Sequence, residues 1–250
     1  MVYIKKAIIL AAGMGTRLKP LTLVNHKCLT EVNKTPILVN TLKILSECGF
    51  EQVVIVVGYL KHLIYERIGN KFDDMEITYA ENDIYDKTNT SWSLKLGLEK
   101  TINYNELYII EGDVFFEKKL MEDLILYKEK NVTVLEHYNP DLDGTFAEIG
   151  ENNFVIDWTH KTHRKPGYIV ENKYKTVNIH KFSLEFINSI LNNYLNKNID
   201  LYNGKEPFEN VMEIIVHNNP DMIKGMVLDG QKWFEIDNQD DLKKAEIIFN

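Results

Sequence analysis

Aliphatic positions along the chain fall into short unbroken runs separated by stretches of helical spacing. Residues 7–10 form one such run, preceded by Lys5 and Lys6 and followed by glycines, the pattern of a strand buried on both faces. Beyond Pro36, Leu38, Leu42 and Leu45 recur at helical spacing and Gly49 supplies a stop. Residues 53–57 read as a second buried strand. The alternation continues with a helix at 62–68, a strand at 77–79, a helix at 91–98, a strand at 107–111, a helix at 120–130 and a strand at 132–136. This series predicts an α/β fold, a doubly wound sheet with helices on both faces, whose ligands lie beyond the strand C-termini.

The texture changes after Asn139. Residues 146–149 and 154–158, separated by Glu151-Asn152-Asn153, predict a hairpin, and residues 174–180 a further strand. Helices at 184–195 and 208–216, strands at 226–228 and 233–236, and a last helix from Asp240 complete the chain. The β-rich segment is expected to shape a second substrate's site. With no repeat or low-complexity linker, we expect one domain over 1–250, with a nucleotide-binding half over 1–138 and an acceptor-binding, metal-completing half over 139–250.

Composition narrows the function classes. The 250 residues are 44% hydrophobic and 26% charged, as in an ordinary folded domain. A net charge of −8 argues against a broad nucleic-acid surface, so any anionic substrate must be met locally. Cys28 and Cys48 form no disulfide framework and no CxxC pair, which fits a reducing compartment and disfavours structural zinc. No apolar run is long enough to cross a bilayer, and the opening MVYIKK leads directly into the first strand, leaving no room for a signal peptide. The expected location is the cytoplasm, with no membrane partner.

The chemistry concentrates where the first strand ends. In Leu10-Ala11-Ala12-Gly13-Met14-Gly15-Thr16-Arg17-Leu18 the small residues allow backbone N–H groups to approach a triphosphate, and Arg17 and Lys27 supply positive charge. A bare GxG reads equally well as a plain turn. Leu18 stands where a dinucleotide-binding GxGxxG would have its third glycine, which disfavours a nicotinamide enzyme. A second strand ends in Glu111-Gly112-Asp113 and places Asp113 at the ligand edge of the sheet, as a metal ligand or a strand-end turn residue.

The longer pattern LAAGxGxRLxPLT, followed by Lys27 and Leu29, resembles the sugar-phosphate nucleotidyltransferase superfamily, whose members transfer NMP from an NTP to a phosphate. The resemblance implies a Rossmann-like nucleotidyltransferase fold. It implies that Leu10, Ala11, Ala12 and Gly13 meet base and ribose, that Gly15, Thr16 and Arg17 hold phosphates, and that Lys27 stabilises the reacting phosphates. His26 departs from the pattern, standing where the family usually has proline. The resemblance further assigns Mg²⁺ to Asp113 and to a late aspartate in Trp233-Phe234-Glu235-Ile236-Asp237. Two carboxylates plus triphosphate oxygens suit that hard ion. Asp237 reads alternatively as the N-cap of the last helix.

Within the superfamily, KWFEIDNQDDLKKAE and the segment Asn89-Thr90-Ser91-Trp92-Ser93-Leu94 resemble the small cytidylyltransferases that act on phosphocholine, 2-aminoethylphosphonate or phosphorylated glutamine; Thr90 replaces the branch's second asparagine. This implies CTP as donor, with cytosine recognised through Glu81, Asn89 and Ser91. Phosphorylated glutamine, used for phosphoramidate decoration of bacterial capsules, is the best fit as acceptor. Residues 174–182 resemble the branch's substrate-half strand, giving Asn178 and Lys181 acceptor-binding positions; the plain reading is an ordinary strand with two exposed lysines. The basic loop with Lys161, Arg164 and Lys165 is either an acceptor-phosphate clamp through Lys161 or Arg164, or a solvated loop. His160 and His163 read as incidental rather than as a metal pair. Trp158 and Trp233 are core residues or the walls of a quaternary-ammonium cage. A sugar-1-phosphate uridylyl-, thymidylyl- or guanylyltransferase and a non-catalytic nucleotide-sensing subunit are the competing readings. A homodimer stays open.

Overall fold

A computed structural model describes residues 3–250; Met1 and Val2, the first two positions of the MVYIKK opening, lie outside the described residues. In chain order the strands and helices are β1 (Lys5–Ala11), β2 (Glu31–Val32), β3 (Thr35–Pro36), α1 (Ile37–Glu47), β4 (Gln52–Val57), α2 (Lys61–Ile68), β5 (Lys71–Phe72), β6 (Met75–Glu81), α3 (Thr90–Lys100), β7 (Glu106–Glu111), β8 (Val114–Phe116), α4 (Lys118–Leu126) and β9 (Val132–His137). There follow β10 (Phe146–Ile149), β11 (Val155–Thr159), β12 (Tyr174–Ser183), α5 (Leu184–Phe186), α6 (Asn192–Tyr202), α7 (Phe208–Asn218), β13 (Lys224–Val227), β14 (Trp233–Glu235) and α8 (Gln239–Ile248). A π turn, Ile187–Leu191, joins α5 to α6.

The main sheet runs β11-β10-β12-β7-β1-β4-β6-β5, with β9 against β12 and β13 against β9. Strands β7, β1, β4 and β6 pair in parallel, which places their C-terminal ends along one edge. The second-half strand β12 joins them antiparallel through β7, so the mixed α/β fold carries both halves of the chain on one sheet.

Side-chain alternation along the parallel strands divides the core into two layers. Ala7, Ile9, Val53, Ile55, Val57, Tyr108 and Ile110 pack with α1, α2 and α4. Ile8, Leu10, Val54, Val56, Leu107 and Ile109 pack with α3, α6 and α7. The unbroken aliphatic runs thus follow from cover on both faces. A smaller cluster of Leu18, Val32, Ile37, Phe115, Phe234, Ile236 and Ala245 packs α8 beside the loop that follows β1.

The expected hairpin is present as β10 and β11, with a register shift between Glu148 and Ile149. The helix expected at 120–130 ends at Leu126, because Tyr127 adopts extended backbone. Strand β12 bends: Asn178 has φ 61, and the register against β9 shifts between Thr176 and His180. That bend places Asn178 beside the end of β7.

Candidate active site

Beyond the C-terminal ends of β1 and β7 opens a cavity of about 840 Å³. Leu10, Ala11, Ala12, Gly13, Gly15 and Thr16 line it, with Arg17 and Lys27. Backbone crowding dictates the small residues here. A Cβ on Gly112 would stand 2.7 Å from the Leu10 carbonyl oxygen, and one on Gly58 2.8 Å from that of Ala12. Gly15 takes φ 58, and a Cβ there would press on Lys27 Cβ at 2.9 Å. Glycine therefore lets the loop after β1 and the lysine turn lie against each other.

His26, at the position where a proline was expected, is buried and caps the turn that carries Lys27. Its Nδ1 accepts the Cys28 backbone N–H at 3.1 Å, and its own backbone N–H donates to Asn25 Oδ1 at 2.9 Å. Burial, with Lys27 beside it, pulls the imidazole pKa down to about 4, so the ring is neutral near pH 7. The loop is fixed by hydrogen bonds instead of by a proline ring.

Strand β14 pairs antiparallel with β8, Glu235 opposite Val114, and the Ile236 N–H donates to the Asp113 carbonyl at 3.0 Å. This pairing brings the late carboxylates to the end of β7. Lys27 Nζ lies between them, donating to Asp113 Oδ2 at 2.6 Å and to Asp237 Oδ1 at 2.8 Å. Arg17 Nη2 donates to the same Asp237 oxygen at 2.7 Å. Burial alone would pull the Lys27 ammonium down, but the two carboxylates outweigh it and hold its pKa above the ordinary lysine value. Asp237 is held below the usual carboxylate range because Lys27 and Arg17 overcome its own burial. Asn238, not Asp237, caps α8, in a capping box with Asp241. Asp237 is thereby free to face the cations.

Period-two spacing at the two strand ends puts Glu111 beside Asp113 and Glu235 beside Asp237. Glu111, Asp113 and Glu235 offer oxygens that all lie within 4.8 Å of one another, and Asp113 Oδ1 is buried with no hydrogen-bond donor. Burial, then Glu209, Asp113 and Glu235, push the Glu111 pKa well up; burial also raises that of Glu235, against the pull of Lys175. Like charges this close, with an oxygen left unpaired, fit a divalent hard cation.

The remaining expected residues divide. Asn89, Lys161 and Asn178 line the cavity, and Asn178 Nδ2 donates to Glu111 Oε2 at 3.2 Å. Glu81, Ser91, Arg164 and Lys181 do not line it. Glu81 is exposed and bound to Lys61 and Tyr65. The Ser91 hydroxyl is buried and donates to the Glu206 carbonyl at 2.6 Å, so it anchors the cavity wall without facing the cavity. Arg164 binds the Gly144 carbonyl and Asp143 and lies over the Phe146 ring, steadying the loop beside the cavity. Lys181 is buried and donates to the Tyr127 carbonyl at 2.6 Å. The reading of two exposed lysines on β12 fails for both, since Lys175 is 2% exposed and donates to Glu235 Oε2 at 3.1 Å. Trp158 is fully buried, and Trp233 is 6% exposed with the Lys175 ammonium over its ring. Sequence reasoning missed Lys175, Glu111, Glu235, Glu209, Asn210, Asn82 and Ser93, all at the cavity. The period-two rule pointed to Glu111 and Glu235.

Known proteins resemble this chain in sequence and in fold. A CTP:phosphoglutamine cytidylyltransferase of Campylobacter jejuni is 28% identical over 260 positions, covering 95% of this chain and 97% of that one. A CMP-5'-(3-aminopropyl)phosphonate synthase of Streptomyces rubellomurinus is 29% identical over 182 residues, 73% of this chain, which spans only 29% of that longer protein's length. The structure of a CTP:phosphocholine cytidylyltransferase from Streptococcus pneumoniae superposes with a TM-score of 0.77 at 25% identity, covering 99% of this chain and 100% of that one. Residues 6–144 match the nucleotidyl transferase family. That stretch is more than half of the chain and contains the phosphate loop, Lys27 and Asp113, so the chain belongs to the nucleotidyl transferase family and is a nucleotidyltransferase.

Proposed function

We propose that the protein transfers CMP from CTP to the phosphate of a small phosphorylated acceptor, L-glutamine phosphate by preference, and releases pyrophosphate. The observation that carries this reading is Lys27 held between Asp113 and Asp237 at the mouth of the phosphate loop. The relative named for CTP and phosphoglutamine, similar along nearly its whole length, supports the choice of donor and acceptor. 2-Aminoethylphosphonate and phosphocholine are the alternative acceptors.

In this reading the backbone N–H groups of residues 13–17 receive the triphosphate, and Arg17, 60% exposed at its side chain, closes over it. Lys27 leaves the carboxylates for the phosphates, where its charge opposes the repulsion between donor and acceptor. An acceptor oxygen attacks the α-phosphorus in line, the bond from that phosphorus to the bridging oxygen of the β-phosphate breaks, and pyrophosphate departs. No general base is required, because a phosphate acceptor with a second pKa of about 6 is mostly ionised near neutral pH. Asp113, with Asp237 or with Glu111 and Glu235, would hold a divalent ion, magnesium in our reading, which neutralises charge on the phosphate oxygens when bound. Asn89 on the nucleotide side and Lys161 and Asn178 on the acceptor side complete the assignment.

Incubation with each NTP, Mg²⁺ and a panel of phosphorylated acceptors tests the proposal through pyrophosphate release. Release with CTP and glutamine phosphate is expected. Release confined to UTP and a hexose phosphate would replace it with a sugar-nucleotide activity, and no release with any pair would leave a nucleotide-binding protein.

A further inference from the structure

We infer that the acceptor carries a primary ammonium, received by Glu209 and Asn210 at the start of α7. This rests on the reading above that the second substrate is a small phosphorylated molecule.

The wall that these residues form is tied to the nucleotide side of the cavity. Ser91 Oγ donates to the Glu206 carbonyl at 2.6 Å, the Phe208 N–H donates to Thr90 Oγ1 at 2.7 Å, and the Asn89 N–H donates to the Gly204 carbonyl at 2.8 Å. Glu206, Pro207, Glu209 and Asn210 line the cavity from this wall.

Asn210 is 4% exposed. Its Nδ2 donates to Glu206 Oε2, a carboxyl oxygen that accepts, which sets the orientation of the amide. The amide oxygen is left buried with no donor, and the same holds for Glu209 Oε2 on the preceding residue. Native proteins rarely leave such acceptors unpaired.

Charge selects among the donors that could satisfy them. Glu111, Glu206, Glu209 and Glu235 face the cavity; of the cations that line it, Lys175 Nζ is engaged by Glu235 and the Thr176 carbonyl, Lys27 and Arg17 by Asp113 and Asp237, and Lys161 is assigned above to the acceptor side. A sugar hydroxyl supplies a donor without positive charge. A trimethylammonium supplies charge without an N–H and is held by aromatic faces. Trp158 has no exposed surface, and Trp233 lies under Lys175 and donates its indole N–H to Glu136 at 3.0 Å; of the aromatics that line the cavity, Tyr85 packs on Gly58 and edge-on to Tyr59, and Phe234 is 8% exposed in the α8 cluster. A primary ammonium supplies both the donors and the charge, and glutamine phosphate carries one on its α-carbon.

Phosphoethanolamine and phosphocholine differ only by three N-methyl groups and form the decisive pair. Pyrophosphate release with CTP is measured for both, and for N-acetyl phosphoethanolamine; binding of each is measured by calorimetry with a non-hydrolysable CTP analogue present. We expect phosphoethanolamine to exceed both others in kcat/KM and affinity by about tenfold or more. Glu209→Gln should raise KM for phosphoethanolamine about tenfold, leave KM for CTP unchanged and collapse the discrimination. Asn210→Leu, whose fold is checked by circular dichroism, should weaken it in the same direction. Selective binding of the primary amine without turnover would uphold this inference and overturn the transfer reading. Equal or better use of phosphocholine would overturn the inference and leave transfer intact. So would a Glu209→Gln variant that changes the number of Mn²⁺ ions bound while keeping its acceptor preference.

Discussion

At the scale of single residues, the site is organised by one lysine between two carboxylates. Asp113 lies outside the apolar core clusters, and its backbone bond to Ile236 survives substitution, so Asp113→Ala should abolish measurable turnover while circular dichroism and gel filtration stay those of the wild type; turnover at the wild-type rate would remove Asp113 from the site. His26 acts one step back, through the turn that bears Lys27. Its replacement by alanine removes the cap, and we expect a loss of roughly 1 kcal/mol or more in urea unfolding together with a fall in activity. Unchanged activity in that variant would mean that the cap is not what orders Lys27. That Lys27, Asp113 and Asp237 meet at one cavity was legible in the sequence, because the glycine-rich loop and the strand-end carboxylates are written in contiguous motifs. The errors fell where residue type was read without direction. Lys181 and Ser91 are buried by sheet pairing and by contact with the approach to α7, respectively, which no short motif records. Glu111 and Glu235 were overlooked although the period of two along a strand puts each beside a residue already singled out.

At the scale of elements, the long periodic segments were legible, and the two- and three-residue strands of the first half were not. The runs at 7–10 and 53–57 and the helix after Pro36 are found as β1, β4 and α1. Strands β2, β3 and β8 are two or three residues long, too short for periodicity to declare itself; β14 was read at 233–236, but not its pairing with β8, which carries Glu235 and Asp237 to Asp113. The bend of β12 at Asn178 was likewise invisible, since its cause is a change of partner strand and not a local turn signal. Helix α3 illustrates how closely the layers approach. A Cβ at Gly97 would stand 2.8 Å from Ile8 Cγ2 and 3.0 Å from Val56 Cγ2, two stiff core side chains. Alanine is the better helix former by about 1 kcal/mol, but overpacking here should outweigh it. Gly97→Ala should therefore lower the melting temperature, and a rise would show that α3 can lift from the sheet without penalty.

At the scale of the whole molecule, two buried imidazoles make stability depend on pH. His180 is fully buried, stacked on Phe182 at 5.6 Å and edge-on to Phe208, and burial pulls its pKa down to about 3. His26 stands at about 4. Both are near 6.5 in an unfolded chain, so as pH falls the unfolded state binds protons first. The stability they contribute is fully present above about pH 6.5 and is lost as pH drops toward 4 and 3, at roughly 1 kcal/mol per pH unit for each ring. His180→Phe, which suits its aromatic surroundings, should flatten the acid limb of the melting curve; an unchanged limb would place the acid sensitivity elsewhere. No described helix is long and apolar enough to cross a membrane.

The sheet brings the glycine-rich loop of one half and the late carboxylates of the other to one cavity, where we propose that a nucleotidyl group changes hands. Incubation with CTP labelled at the α-phosphate, Mg²⁺ and glutamine phosphate tests it most directly, with labelled products separated and pyrophosphate counted in parallel. Label is expected to move into a CDP-linked product in equal number to the pyrophosphate released, and Asp113→Ala is expected to yield neither. Label recovered only as CTP, or as free CMP or CDP with no acceptor adduct, would contradict it.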